Sequence, residues 1–439
     1  MPIHVVPKPG SEKLRLVNDQ SAGAYSLNSM IQPEAVKGAV LDGIPVLGRL
    51  IREMRAKHRP DPVSYYGNQT YRKPTAECRW SLRVWAAFYC LVVWITTEKA
   101  RTGKFAVYVD DNTGVALHGD VEWYAPYAAY LPTLQARLLT LWDELGVPHD
   151  RAKQLAGPTL PYIGFQVNPN AMTVTLPPEA KAKLLQAIRD FATIRPGNRH
   201  HKLGEFQAFA GYVNWALNVL PLLRPTLSNV YDKMVGKSAN HAGIYVNSAI
   251  VRDLQWLAHH VEFAPGMHFL DADAWVPADL VPDDIRNKFA LCDASGSGMG
   301  IYFPWQQIGF HAPVVMTALT TAIFFHEVLA LCAAIHLVEA WRKAGRNVRR
   351  LAILSDNTST VDAFNSLRAP PVYNPILMSA VDVLIRCDLQ LHVNHIPGKL
   401  NIVADALSRG NLDLAGELVP GITLFKFSPP RDVLGAGAA

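Results

Sequence analysis

Four acidic residues in the last third of the chain have the types and spacing of a metal-binding carboxylate site. In chain order they are Asp293, Glu327, Asp356 and Asp405, separated by 34, 29 and 49 residues. Carboxylates that converge in a protein interior repel one another by several kcal/mol per pair at about 4 Å, so they need protons or cations to be tolerated. Two Mg²⁺ ions, which prefer oxygen ligands, would neutralise such a group and support the hydrolysis of a phosphodiester.

Two of these acids end predicted strands. Residues 289–292 and 351–354 are apolar on both faces of an extended chain, which is typical of central strands, and the two strands run into Asp293 and Asp356. Glycine-rich residues 296–300 and the segments 301–303, 307–311 and 389–396 predict a turn and three further strands. We therefore expect an α/β domain with a mixed five-stranded sheet, with the two aspartates near the ends of its strands.

The other two acids lie on predicted helices. Glu327 is in the first turn of an amphipathic helix that starts near Phe324, at the margin of its apolar stripe. Asp405 is in a short helix, on the same face as Asn401 and Ser408. Any one of the four acids, taken alone, is more simply explained as a turn or capping residue, so the prediction of a metal site depends on all four together.

The segments around these acids resemble the RNase H domain of long-terminal-repeat (Gypsy-like) and DIRS-like retrotransposons. The most distinctive match is the string HIPGKLNIVADALSR, which runs from His395 to Arg409. The resemblance implies that all four acids are catalytic metal ligands, with two Mg²⁺ ions per site and Mn²⁺ as the alternative ion. It also implies that the substrate is the RNA strand of an RNA–DNA hybrid, and that His395 assists the departure of the product or a proton. A loop histidine with no such role is the other interpretation of His395.

A second pair of acids, Asp110 and Asp111, follows the apolar strand 105–109 in the first half of the chain. An acidic turn after a strand is common on its own. Taken with residues 5–31 upstream and 138–167 downstream, the segment resembles a reverse transcriptase of the DIRS-like class. The resemblance implies a right-hand-type polymerase with fingers, palm, and a helical thumb and connection, in which Asp110 binds the metal ions and Asp111 supports the site.

The same resemblance assigns substrate contacts near the start of the chain. Arg15, with Lys8 or Lys13 as less direct contributors, would hold the triphosphate of an incoming dNTP, while the template–primer duplex would be the nucleic-acid partner. A surface arginine whose stem packs on a strand is the alternative for Arg15.

The predicted palm departs from the family in one important respect. The family has a further aspartate on a strand before the palm helix, and Tyr66 stands where that residue is expected. Asp61, the nearest acid, is flanked by prolines, which disfavour a central strand. Because phosphoryl transfer in such a fold depends on metal-held geometry, we expect a shortened palm in which polymerase activity is absent or severely impaired.

Composition sets the remaining expectations. Apolar residues make up 49% of the 439, enough for packed cores, and the net charge of +5 permits a phosphate-backbone partner without requiring one. The five cysteines are not spaced for a zinc ribbon or a disulfide framework. With no signal peptide and no membrane-spanning stretch recognised, the longest apolar run being 86–95, we expect an intracellular protein of the cytoplasm or nucleus.

Changes in composition divide the chain into five segments. We expect fingers and palm in 1–168, thumb and connection helices in 169–268, a linker in 269–286, the RNase H domain in 287–410 and a partly disordered tail in 411–439. The leading functional hypothesis is an enzyme with an RNase H site. The alternative is a catalytically decayed or co-opted remnant that binds nucleic acid without cleaving it.

Overall fold

The computed structural model describes residues 3–7, 14–18, 42–58, 63–69, 81–99, 104–108, 111–193, 200–268, 289–314, 323–346 and 348–430. The chain forms two compact units. The first contains residues 1–177 and 266–274, and the second contains 178–265 and 275–439. The predicted linker, 269–286, lies outside the described residues.

In its described residues the first unit alternates short strands with three α-helices. Its elements, in chain order, are β1 (Ile3–Pro7), β2 (Leu14–Asn18), α1 (Ile44–Lys57), β3 (Val63–Gln69), α2 (Ser81–Trp94), β4 (Phe105–Tyr108), β5 (Asp111–Leu117), β6 (Val121–Tyr124), β7 (Ala129–Pro132), α3 (Thr133–Leu145), β8 (Leu155–Gly157), β9 (Leu160–Tyr162), β10 (Phe165–Asn168) and β11 (Thr173–Thr175).

The remaining chain begins with helices and ends with a larger sheet. Its elements are α4 (Pro178–Ala192), β12 (His200–Lys202), α5 (Leu203–Ala216), α6 (Ser228–Met234), β13 (Gly243–Tyr245), α7 (Ser248–Phe263), β14 (Met267–His268), β15 (Phe289–Ala294), β16 (Gly298–Phe303), β17 (Ile308–Pro313), α8 (Ile323–Lys343), β18 (Arg350–Ser355), α9 (Thr358–Ser366), α10 (Asn374–Arg386), β19 (Gln390–His395), α11 (Ile402–Ser408), α12 (Leu412–Leu418) and β20 (Thr423–Lys426).

Two four-stranded sheets organise the described part of the first unit. One has the order β4-β5-β3-β8, and the other has the order β14-β11-β10-β9. In the first of these sheets β3 runs antiparallel to both β5 and β8, so it is a central strand. Trp142 of α3 is fully buried in the adjacent apolar cluster, together with Leu139 and Val147.

The sheet of the second unit has six strands, so the prediction of five was wrong. Its order is β19-β18-β15-β16-β17-β20, with β15–β17 antiparallel and β18, β19 and β20 parallel to their neighbours. The sixth strand, Thr423–Lys426, comes from the segment predicted as a tail and covers the otherwise open edge of β17. Stacking of Phe425 on Phe310 secures this pairing. Within the predicted tail, only residues 431–439 lie outside the described part.

Helix α8 packs on the centre of this sheet, against β15 and β16. It is long and apolar enough to cross a membrane, contrary to the expectation that no stretch of the chain could do so. However, 72% of its most apolar window is buried inside the protein. Val328, Leu331 and Ile335 are fully buried in the cluster that joins α8 to the strands, as expected of a core helix.

Residues 178–265 of the segment predicted as thumb and connection are largely helical and belong to the same compact unit as the six-stranded sheet, whereas 169–177 and 266–268 belong to the first unit. Polar contacts join α7 to α10. The carboxylate of Asp382 accepts hydrogen bonds from Trp256 Nε1 at 2.8 Å and contacts His260 Nε2 at 2.7 Å. Asp253 accepts a further hydrogen bond from Asn374 Nδ2 at 3.3 Å. These contacts between α7 and α10 explain why the helical segment and the segment with the six-stranded sheet form one compact unit.

Candidate active site

Three of the four predicted acids meet at one edge of the six-stranded sheet. Strands β15 and β18 are parallel neighbours, so Asp293 near the end of the first and Asp356 just beyond the second lie side by side. Helix α8 packs across β15 and brings Glu327 to the same point. One ligand oxygen from each of the three residues lies within 4.8 Å of the other two. We call these three residues the acidic cluster.

Asp405 lies beside the acidic cluster but does not belong to it. Its carboxylate accepts a hydrogen bond from Arg409 Nε at 2.8 Å, one turn later in α11, and its side chain is 42% exposed. It is nevertheless near enough to raise the pKa of Asp293 through charge repulsion. The structure thus separates the four predicted ligands into three converging carboxylates and one adjacent carboxylate that is paired with an arginine.

The electrostatics of the acidic cluster favour protonation when no cation is present. Burial, followed by repulsion from Asp293 and Asp356, raises the pKa of Glu327 to about 8. Burial also raises the pKa of Asp293 to about 6, against the lowering effect of its hydrogen bond from Ser408. Both shifts have the physical cause expected for carboxylates that are withdrawn from water and held near like charges.

The acidic cluster fits a hard divalent cation. Glu327 Oε2 is buried and has no hydrogen-bond partner in the described part of the chain, which is costly for a carboxylate oxygen unless something else satisfies it. All three donors are carboxylates, the ligand type that Mg²⁺ and Mn²⁺ prefer over sulfur or imidazole.

Two buried polar residues that sequence reasoning left without a role hold the acidic cluster in place. Asn401 is fully buried and donates from Nδ2 to the carbonyl of Cys292 at 3.0 Å and to Asp356 Oδ1 at 3.5 Å. Ser408 Oγ donates to Asp293 Oδ2 at 2.5 Å. The sequence did place both residues on the same helical face as Asp405, and that periodicity was the signal from which their role could have been found.

The close approach of α11 to β16 depends on glycine. A Cβ added at Gly300 would lie 2.2 Å from the carbonyl oxygen of Ala404 and 2.6 Å from the amide nitrogen of Ser408. These are backbone atoms, so the helix itself would have to move. Gly300 is paired with Asp293 in the β15–β16 register, which puts this close contact next to the acidic cluster.

We expect Gly300→Ala to destabilise the protein by about 1–3 kcal/mol, the usual range for overpacking a core, because α11 must shift. The same shift should lengthen the Ser408–Asp293 hydrogen bond. Gly296→Ala is the matched control, since nothing lies within 4 Å of a Cβ at that position. Urea unfolding of both variants checks the prediction, and equal midpoints would contradict it.

His395 is exposed at the end of β19 and is paired in register with Ser355, the residue that precedes Asp356. The structure therefore places it at the same edge of the sheet as the acidic cluster. Its imidazole makes no hydrogen bond with the described residues, so it is held by the backbone alone. Its predicted role in product or proton departure stays a prediction.

The residues predicted for a polymerase site are described only in part. Asp110, Lys8 and Lys13 lie outside the described residues. Asp111 is the first residue of β5 and is paired with Tyr108 of β4, the antiparallel neighbour of β5. Arg15 lies in β2, opposite Val6 of β1. The described residues do not bring these positions together.

Tyr66, which stands at the position expected for a palm aspartate, is a core residue. It lies in the central strand β3, is 1% exposed, and covers Gly114, its partner on β5. Burial raises the pKa of its hydroxyl well above the ordinary value of 10, so the group stays neutral. A neutral buried phenol is a poor substitute for a carboxylate ligand of Mg²⁺.

No family model matches the chain, and no curated protein matches it. Among solved structures, it is similar to the RNase H1 of the halophilic archaeon Halobacterium salinarum NRC-1. The match has 17% sequence identity and a TM-score of 0.23, and it covers 29% of this chain and 98% of the archaeal one.

Proposed function

We propose that the second unit is a divalent-metal-dependent nuclease of the RNase H type, which hydrolyses the RNA strand of RNA–DNA hybrids. The observation that carries the proposal is the acidic cluster of Asp293, Glu327 and Asp356, with ligand oxygens within 4.8 Å of one another. Glu327 Oε2, which is buried and has no hydrogen-bond partner among the described residues, further supports the proposal. Three acids that lie this close together in the protein interior are explained by a bound cation better than by a structural role.

In this proposal the chain's own residues bind the metal ions and keep the ligand side chains in place. Asp293, Glu327 and Asp356 would hold two Mg²⁺ ions, or Mn²⁺, with Asp405 as the outer ligand and Asn401 keeping Asp356 in place. When bound, such ions supply Lewis-acid activation of the attacking water and stabilise the leaving oxygen. Exposed His395, at the same edge, would assist the departure of the product or a proton.

Cleavage of a labelled hybrid tests the proposal. The full chain should cleave the RNA strand of an RNA–DNA hybrid in Mg²⁺ or Mn²⁺, should not do so in EDTA, and should leave single-stranded RNA and duplex DNA largely intact. Binding of the hybrid without cleavage in either metal would favour the alternative, a remnant that binds nucleic acid without chemistry.

For the first unit we propose descent from a reverse transcriptase of a DIRS-like or Gypsy-like retroelement, with polymerisation lost. Support comes from the antiparallel pair β4–β5, in which Asp111 is the first residue of β5, and from the buried Tyr66 in the neighbouring strand. The carboxylate that would share the metal ions with Asp110 is replaced by an apolar core residue.

We therefore expect no extension of a labelled primer on an RNA or DNA template with dNTPs in Mg²⁺ or Mn²⁺. An active reverse transcriptase assayed in parallel is the positive control. Extension that is lost in Asp110→Asn would overturn the prediction, because it would show a working palm.

A further inference from the structure

Ser408 forms a hydrogen bond with one carboxylate oxygen of Asp293, a member of the acidic cluster. Its hydroxyl donates to Asp293 Oδ2 at 2.5 Å, and it also lies 3.0 Å from the carbonyl of Asp405. Ser408 is 1% exposed and Asp293 is buried as well, so water does not compete for this contact. A hydrogen bond between a buried hydroxyl and a carboxylate is charge-assisted and is therefore stronger than one between neutral groups.

The backbone around Ser408 is fixed from two sides. Its carbonyl accepts a hydrogen bond from Ser295 Oγ at 2.8 Å, in the turn that follows β15. Ser295 Oγ in turn accepts from the amides of Ser297 and Gly298, which tie that turn to itself. On the other side, Gly300 lets α11 approach β16 closely. Ser408 therefore reaches Asp293 from a rigid position, and the hydroxyl cannot follow the carboxylate if it rotates.

We propose that Ser408 is a positioning residue that fixes the rotamer of Asp293: it engages Oδ2, so that Oδ1 would be available to bind a divalent cation. Among the described residues Oδ1 accepts no hydrogen bond, whereas Oδ2 is engaged. Because the hydroxyl donates to Oδ2, it also withdraws negative charge from that oxygen. This inference rests on the proposed function, since it assumes that the acidic cluster binds a cation.

The test is divalent-ion affinity, which can be measured without any turnover. Calorimetric titration of the full chain with Mg²⁺, and separately with Mn²⁺, should show affinity about 10–100-fold lower for Ser408→Ala than for wild type, the usual loss when a partner of a metal ligand is removed. Ser408→Thr, which keeps the hydroxyl, should recover most of the affinity, and Ser408→Cys serves instead if the added methyl group prevents folding.

Ser295→Ala is the matched control. It removes a buried serine that ties the same helix to the same turn but does not touch a carboxylate. It should lower the unfolding midpoint while keeping the wild-type ion affinity. Wild-type affinity in Ser408→Ala, or an equal loss in Ser295→Ala and Ser408→Ala, would overturn the positioning role. No ion binding by wild type would overturn the proposed function itself, and this result is distinct from the other two.

Discussion

Glu327→Gln is expected to make the metal-free protein more stable at pH 8.5 while it abolishes metal-dependent hydrolysis. The folded-state pKa of Glu327 is about 8, against an ordinary value of 4.5, because the group is buried and repelled by Asp293 and Asp356. The folded protein therefore holds a proton that the unfolded chain releases. Stability from this group is fully present below about pH 4.5 and is lost as the pH rises through 8. Glutamine cannot ionise, so the variant does not lose this stability as the pH rises.

The size of the effect follows from the same shift. One pKa unit corresponds to 1.36 kcal/mol, so the upper limit is about 5 kcal/mol, and relaxation of the buried acids should leave about 1–3 kcal/mol. Urea unfolding in EDTA at pH 5 and pH 8.5 measures it. The variant should resemble wild type at pH 5 and exceed it at pH 8.5. Added Mg²⁺ should stabilise wild type but not Glu327→Gln, since only the former keeps the full ligand set.

Glu339→Gln, in the same helix, is a control with the opposite sign. Burial raises the pKa of Glu339, but hydrogen bonds from Arg386 and Lys343 outweigh burial and hold the pKa below its ordinary value. Glu339→Gln should therefore lose stability near neutral pH. If Glu327→Gln also lost stability at pH 8.5 in EDTA, the claim that burial and repulsion destabilise the ionised Glu327 would be wrong.

Asp253→Ala is expected to destabilise the second unit by about 3–5 kcal/mol, because it leaves buried polar groups without partners. Asp253 is 0% exposed, and its carboxylate accepts hydrogen bonds from Asn229 at 2.6 Å and Asn374 at 3.3 Å. Asn229 follows Ser228, whose hydroxyl donates to the carbonyl of Ala369, while Asn374 begins α10, which packs against α8. The aspartate therefore joins the helical segment to the segment that forms the six-stranded sheet.

Thermal unfolding of the full chain measures this effect. Glu262→Ala is the matched control, since Glu262 is an exposed acid in the same helix whose contact with Arg189 is at the surface. Its effect should lie within about 0.5 kcal/mol of zero. Similar unfolding midpoints for Asp253→Ala and Glu262→Ala would show that the helical segment is not energetically coupled to the sheet.

The sequence predicted the candidate site best where an acidic residue lies within a regular helix or at the end of a regular strand. Asp293 and Asp356 could be placed at the ends of neighbouring strands because residues 289–292 and 351–354 are apolar on both faces. Parallel pairing then brings the two acids together whatever the loops do. The helical spacing around Glu327 likewise fixed its helix, although not the depth of its burial.

Features that depend on pairing between distant segments could not be predicted in this way. Residues 423–426 carry little strand signal of their own, and they form β20 only because β17 offers an open edge more than a hundred residues earlier. The separation of Asp405 from the acidic cluster follows from its local pairing with Arg409, which competes with any attraction toward a cation. Burial of Asp253 reflects tertiary contacts that no periodicity encodes.

The most direct test compares hydrolysis of a labelled RNA–DNA hybrid by wild type, Asp356→Asn and Asp362→Asn in Mg²⁺. Asp362 is an exposed aspartate in α9, six residues from Asp356, and it serves as the matched control. Loss of a metal ligand removes several kcal/mol of transition-state stabilisation, so Asp356→Asn should cleave at least about 10³-fold more slowly. Asp362→Asn should cleave like wild type. Equal cleavage by all three proteins would contradict the assignment of the acidic cluster as the active site.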